Sequence, residues 1–70
     1  MSEYILCDGR VQPDVTNPEN VKDSSILGVF DAISDAHAIR VARRDYGPGP
    51  VVLFELTGPK ELRHIWTRNQ

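Results

Sequence analysis

The amino-acid sequence predicts a small α+β domain, a two-layer sandwich in which one helix covers one face of a three- to four-stranded mixed sheet. Three observations lead to this prediction. Short segments rich in β-branched and aromatic residues are separated by turn signals. One amphipathic helical segment lies between two of them, in the order β-β-α-β-β. A chain of 70 residues allows one domain only, so residues 1–70 are predicted to form a single unit.

The first strand and a long loop occupy the N-terminal third. Residues 4–7 are apolar and predict a short strand, after which Asp8-Gly9 favours a turn and residues 10–12 a brief return strand. Prolines and polar residues predict a loop over residues 13–24. Within it, Asn17-Pro18 is typical of the start of one helical turn. A connection of this length is usually functional or disordered.

The helix has the clearest start and stop signals in the chain. Ser34 is a good N-cap, and Asp35 places a negative charge in the first turn. The segment extends to Tyr46 and is followed by Gly47, which can take the left-handed cap, and Pro48. One side of the predicted helix carries small and apolar residues, which favours close packing on a sheet: Ala38, Ile39, Ala42 and Tyr46.

Two further strands flank the helix. Residues 26–30 and 51–56 are apolar on both faces, as expected of interior strands. The last segment, residues 61–68, fits a short helix or a hairpin strand, and we favour the strand because an isolated helix this short is weak. A strand–helix–strand unit predicts a crossover between two parallel strands, hence a mixed sheet. With one helix, the opposite face of that sheet is expected to be uncovered.

Composition excludes several classes of protein. No apolar run approaches the roughly 18 residues that a membrane-spanning helix needs. The first residues lack the basic and apolar pattern of a secretory signal, so we expect a cytoplasmic protein. A single cysteine cannot form an internal disulfide, and with two histidines it makes a poor set for structural zinc. We therefore expect neither a metal nor a cofactor.

The charges are distributed unevenly along the chain, although the net charge is only −2. Residues 1–31 contain six acids and two bases, a balance of −4, whereas residues 32–70 contain four acids and six bases, a balance of +2. The net acidity argues against a protein that binds nucleic acid by bulk electrostatics. The folded molecule is expected to be dipolar unless the fold interleaves the two halves.

The outward face of the predicted helix is the first candidate contact surface. His37, Arg40 and Arg44 recur at helical spacing, with Arg43 at the edge. Such a stripe docks on an acidic protein surface or on phosphates, or is simply a solvated face, which is the norm for helices. A nucleic-acid interface would use the helix arginines together with Arg63.

Two other groups of residues are candidates for partner binding. The loop acids Asp14, Glu19 and Asp23 mimic nucleic-acid charge, cap a basic pocket of a partner, or simply solvate the loop, and they lack the spacing of a calcium-binding loop. Trp66 is of the type enriched at binding hot spots, but it serves equally well to seal the sheet.

Catalytic chemistry has little support in the sequence. Asp31, Asp35 and His37 cluster around the helix start, where capping and exposure explain them better than a metal site does. Cys7 lies on an apolar strand, which is typical of a small core residue rather than a nucleophile. We therefore do not expect an enzyme.

The function expected from these observations is a non-enzymatic protein-binding module that acts sterically, as an inhibitor or regulator of a larger complex. Its contact surface would be the uncovered sheet face, an edge strand or the arginine stripe, and its partner another protein or a second copy in a homodimer. Small acidic single-domain chains of this kind are common among phage and mobile-element inhibitors, anti-CRISPR proteins included. The alternative is a nucleic-acid-binding accessory protein that uses the arginine stripe.

Overall fold

A computed structural model describes residues 1–69, which form a four-stranded sheet with one α-helix against it. The four strands have the spatial order β2-β1-β3-β4. Their bounds are Ser2–Asp8 for β1, Ile26–Ala32 for β2, Val51–Gly58 for β3 and Glu61–Arg68 for β4. The helix α1 spans Asp35–Asp45, and single 3-10 turns occupy Pro18–Asn20 and Asp23–Ser25. The predicted α+β class and the order β-β-α-β-β are confirmed.

The position of β1 corrects the predicted sheet. β1 pairs antiparallel with both β2 and β3, so these two strands run parallel to each other but never touch as neighbours. The sheet is therefore antiparallel throughout rather than mixed. For the same reason β2 lies at an edge, and the prediction of an interior strand at residues 26–30 is wrong. The sequence of β2 is apolar on both strand faces. The interior position that this pattern predicts is occupied by β1 instead.

Three local sequence signals can be compared directly with the structure. Residues 61–68 form the strand that we favoured, because β4 pairs with β3 along its whole length. Residues 10–12 do not form a return strand; the chain turns instead, and the Val11 N–H donates to the Asp8 carbonyl over 3.2 Å. The cap at Asn17 is confirmed, since its side-chain oxygen accepts from the Glu19 N–H at 2.9 Å.

The helix begins as predicted and ends differently. The Ser34 hydroxyl accepts a hydrogen bond from the His37 N–H at 3.1 Å, which is the expected N-cap. At the other end Tyr46 is extended, and no left-handed residue follows at Gly47. The positive φ of 126° falls on Gly49, between two prolines, where the chain turns into β3. Within residues 1–69 no helix is long and apolar enough to cross a membrane.

One hydrophobic core lies between the sheet and α1. The small side chains of Ala38 and Ala42 are fully buried, so the helix packs closely on the strands. The sheet contributes alternate residues of its two central strands, as strand geometry requires. These residues are Tyr4, Leu6, Val51 and Leu53.

A second core occupies the opposite face of the sheet, which corrects the expectation that this face is uncovered. Residues 9–25 lie across it and bury Val21, with Val11 and Val15 packed beside it. The Leu62 N–H donates to the Thr16 carbonyl at 2.8 Å, which ties this segment to β4. The side chains that it covers include Ile5, Cys7, Val52 and Phe54. We call residues 9–25 the covering segment.

The covering segment makes a testable contribution to stability. Val21→Ala removes two buried methyl groups and is expected to lower the free energy of unfolding by about 1.5 kcal/mol. Val29→Ala makes the same chemical change at a site that is 53% exposed, and its effect should stay within about 0.5 kcal/mol. Urea unfolding of both variants measures the difference. Equal losses would show that the segment does not seal the sheet.

Candidate contact surfaces

The outer face of α1 carries cations around a small apolar patch. Ala36 and Ile39 form a shallow depression with Arg40, Arg43 and Arg44. The three arginines are exposed, as helical spacing predicts for a face turned away from the buried alanines. We call Arg40, Arg43, Ala36 and Ile39 the arginine platform.

Two of these arginines have no acidic partner. In the described chain no carboxylate lies within 4 Å of Arg40 or Arg43. Arg44, by contrast, donates to Asp45 over 2.8 and 3.3 Å. This pair raises the pKa of Arg44 and lowers the pKa of Asp45, because each charge stabilises the other. The predicted stripe is therefore reduced to two unpaired cations.

His37 does not belong to the stripe. It is half-buried, and its Nδ1 accepts a hydrogen bond from the Ile33 N–H at 3.2 Å. The side chain thus turns back on the helix start and satisfies a backbone donor there. Together with Ser34 it confirms the predicted capping of this end.

Arg63 lies on β4 and takes part in a polar network that the sequence did not reveal. Its guanidinium donates to Glu55 on β3 over 2.6 and 2.9 Å and to both oxygens of Asp35 over 2.9 and 3.0 Å. The hydroxyl of Tyr4, a buried residue of β1, also donates to Asp35, at 2.8 Å. The network links α1 to three strands at the helix N-terminus.

The network changes the acidity of its members. Hydrogen bonds from Tyr4 and then Arg63 lower the pKa of Asp35. Burial, reinforced by the hydrogen bond to Asp35, raises the pKa of Tyr4 to about 12. Hydrogen bonds to Glu55 and Asp35 raise the pKa of Arg63, so this residue is held in place by two carboxylates. No sequence spacing connects residues 4, 35, 55 and 63; only the sheet order brings them together.

Trp66 lies half-buried at the far end of β4. It packs against the core under α1, and the guanidinium of Arg68 lies 5.9 Å from its ring centroid. Arg68 also donates to the carbonyls of Gly47 and Gly49, so it fastens the loop that precedes β3. The tryptophan therefore seals this side of the sheet.

The predicted acidic residues lie on the other side of the molecule. Asp14, Glu19 and Asp23 are exposed on the covering segment. Glu19 approaches Lys60 at 4.0 Å, and the other two have no cation within that distance in the described chain. Because α1 and the covering segment lie on opposite faces, the sheet separates these acids from the arginine platform. The covering segment also carries the exposed cations Arg10 and Lys22, so its three acids leave it with a small excess of negative charge.

The residues that we considered as catalytic or metal-binding candidates have structural positions in the fold. Cys7 is fully buried, as predicted for a core residue, and burial raises the pKa of its thiol to about 11. Asp31 is exposed on β2, opposite Glu3 of β1. Among residues 1–69 no group of three or more His, Cys, Asp or Glu is placed to hold a metal ion.

An apolar edge is the surface that sequence analysis missed. Leu27 and Val29 are 46% and 53% exposed on β2, and Ile33, just beyond the strand, is 76% exposed. These are three of the four large hydrophobic residues exposed in the described chain. No local sequence signal could have found this edge, because residues 26–30 are apolar on both strand faces; the alternation of exposed and covered residues along β2 arises only in the fold.

Comparison with known proteins adds no information about function, so function is inferred from these surfaces. No family model matches the chain, and no curated protein or solved structure matches it.

The ion pair at the helix start gives a pH-dependent prediction. Asp35→Asn keeps the shape of the side chain but removes its charge, and should lower the free energy of unfolding by about 1 kcal/mol at neutral pH, given its partial exposure. Because the folded pKa of Asp35 is lowered, its contribution is present above about pH 4 and is lost as the pH falls through that lowered value. The variant and the native protein should therefore converge in acid.

Urea unfolding at a series of pH values measures this convergence. Asp45→Asn is the matched control, since its side chain is about as exposed as that of Asp35, at 47% against 44%, but it pairs only with its chain neighbour Arg44 and should contribute far less to stability. A loss for Asp35→Asn that does not change with pH would show that its carboxylate charge is not what holds the helix start.

Proposed function

We propose that this protein is a small protein-binding module that acts sterically, by occupying a surface of a larger complex as an inhibitor or regulator does. The contact surface is the arginine platform on α1. The observation that carries the proposal is that Arg40 and Arg43 project from a helix face without any acidic partner in the described chain.

Unpaired arginines favour contact with an acidic partner. A guanidinium that already has a carboxylate partner must exchange one ion pair for another on binding, whereas Arg40 and Arg43 have none to exchange. Arginine is enriched at binding hot spots because it combines bidentate hydrogen bonding with an apolar stem. The platform thus provides two such anchors one helical turn apart.

The apolar part of the platform favours a protein over a nucleic acid. Ala36 and Ile39 line the same depression as the arginines, and an apolar patch of this kind buries well against side chains. Of the four arginines considered for nucleic-acid binding, Arg44 and Arg63 are already bound to carboxylates. Two remaining cations on a chain of net charge −2 make a weak phosphate-binding surface.

The acidic residues of the covering segment, on the face opposite α1, favour one orientation of the protein toward its partner. The acids of the covering segment repel an acidic partner, while the platform attracts it, so encounters through α1 are favoured. In this proposal the protein meets its partner in the cytoplasm, the compartment that the sequence favours.

Charge reversal tests the platform. The double variant Arg40→Glu, Arg43→Glu should weaken binding of the partner by at least about 30-fold, the loss expected when two hot-spot arginines become repulsive. The partner is first captured from extract of the native host with the tagged protein and kept only if it binds in a fixed molar ratio. Its affinity for each variant is then measured by calorimetry.

The matched control makes the same charge change elsewhere. Arg10→Glu, Lys22→Glu also reverses two exposed cations, one at each end of the covering segment, and should bind within about twofold of the native protein. Equal losses in both double variants would reject the platform in favour of overall charge. Retention of duplex DNA by the native protein at low salt, lost in the first variant only, would support the nucleic-acid alternative instead.

A further inference from the structure

We propose that two copies of the chain associate through the free edge of β2, which pairs antiparallel with β2 of the second copy around Val29. The two sheets then form one continuous sheet of eight strands, twice the four of one copy. This inference is independent of the arginine platform, which lies on the outer face of α1.

Exposed apolar side chains mark the β2 edge. Leu27, Val29 and Ile33 are the large hydrophobic residues with the most exposed surface after the N-terminal Met1. They lie on one strand or directly after it, at an edge whose outward backbone groups have no strand beside them. A free edge with apolar side chains is the usual template for adding another strand.

The other edge of the sheet is protected, which makes β2 the edge that can pair. β4 carries Arg63, His64 and Arg68, and charged residues are the common device against edge-to-edge association. β2 carries a single charge, Asp31. Only the bulge at Leu27 interrupts its regular geometry, and it limits the pairing to about residues 27–31.

Self-pairing around Val29 gives complementary neighbours. Val29 lies at the middle of the strand, so in this register it faces the partner's Val29, and Asp31 faces the partner's Leu27 rather than another acid. Phe30 faces the partner's Gly28, which has no side chain and is covered by the Tyr46 ring of its own copy. Phe30 is half-buried beside Tyr4, so an aromatic surface is free to pack there. Aromatic residues opposite glycine are favourable in sheets.

The helices fit the same arrangement. An antiparallel pair of edge strands has its two-fold axis perpendicular to the sheet, so both copies of α1 lie on one face. Among the strands, β2 is the one that α1 contacts most. The core under α1 also includes residues of β1 and β3, so each helix lies back from the free edge and leaves the edge strands of the two copies room to pair.

The contact area sets the expected affinity. The paired strip of about five residues, 27–31, is about 17 Å long. The smallest dimension of the Cα trace is 17 Å. The two dimensions bound a surface of about 300 Å² per copy, which is below that of a standard stable interface. The dimer is therefore expected to be weak and reversible, with a dissociation constant between about 1 μM and 1 mM.

Sedimentation equilibrium over a wide concentration range tests the association. The average mass should rise from 7.9 kDa at low micromolar concentration toward twice that value near about 1 mM.

Val29→Lys places a charge at the centre of the pairing and should raise the dissociation constant at least about tenfold. Ala36→Lys adds the same charge on the outer face of α1 and should change it by less than about twofold.

A second variant gives a positive signal that does not depend on loss of folding. Val29→Cys places two thiols directly opposite each other, with Cβ atoms about 4.5 Å apart at closest approach, and should form a covalent dimer under mild oxidation. Thr57→Cys, exposed on β3 away from this edge, should not, and the buried Cys7 does not take part. A monomer at every concentration, equal effects of the two lysine variants, or a dimer without the Val29 disulfide would each overturn the proposal.

Discussion

The structure depends on the burial of β1 on both faces and along both edges. β1 is the first element of the chain and the strand that holds β2 and β3 together. Tyr4 and Leu6 point toward α1, whereas Ile5 and Cys7 point toward the covering segment, and all four are buried. Since successive strand residues alternate between faces, a central strand of this kind requires cover on both sides. The helix provides one cover and residues 9–25 provide the other.

This double cover decides which surfaces are free to bind. A sheet with one bare face would offer that face to a partner, but the covering segment closes it with valines and a backbone hydrogen bond to β4. The exposed surfaces include the outer side of α1 and the β2 edge. Their chemistry differs: one is cationic with a small apolar centre, the other apolar with a single acid. We propose an acidic protein surface as the partner of the first and a second copy of the chain as the partner of the second.

The same arrangement of α1 and the covering segment on opposite faces of the sheet also determines where charged residues lie. The acidic first half of the chain contributes the covering segment, and the more basic second half contributes α1, so the uneven charge of the sequence becomes a difference between two faces. Within the second half, ion pairs divide the arginines into structural and free ones. Arg63 binds Asp35 and Glu55 at the helix start, and Arg44 binds Asp45, whereas Arg40 and Arg43 have no such partner in the described chain.

The sequence by itself determined the elements whose signals are local: the cap at Ser34, the turn at Asn17-Pro18, the strands and their order, and the burial of Cys7. These follow from hydrogen bonds and side-chain alternation within a few residues. Only the tertiary structure decided the rest. The place of β1 between β2 and β3, the cover over the second face and the network of Tyr4, Asp35 and Arg63 join residues far apart in the chain, and local patterns are the same whichever strand is central. The apolar pattern of β2 fits an interior strand and an exposed edge equally well, because burial depends on which neighbours the fold supplies.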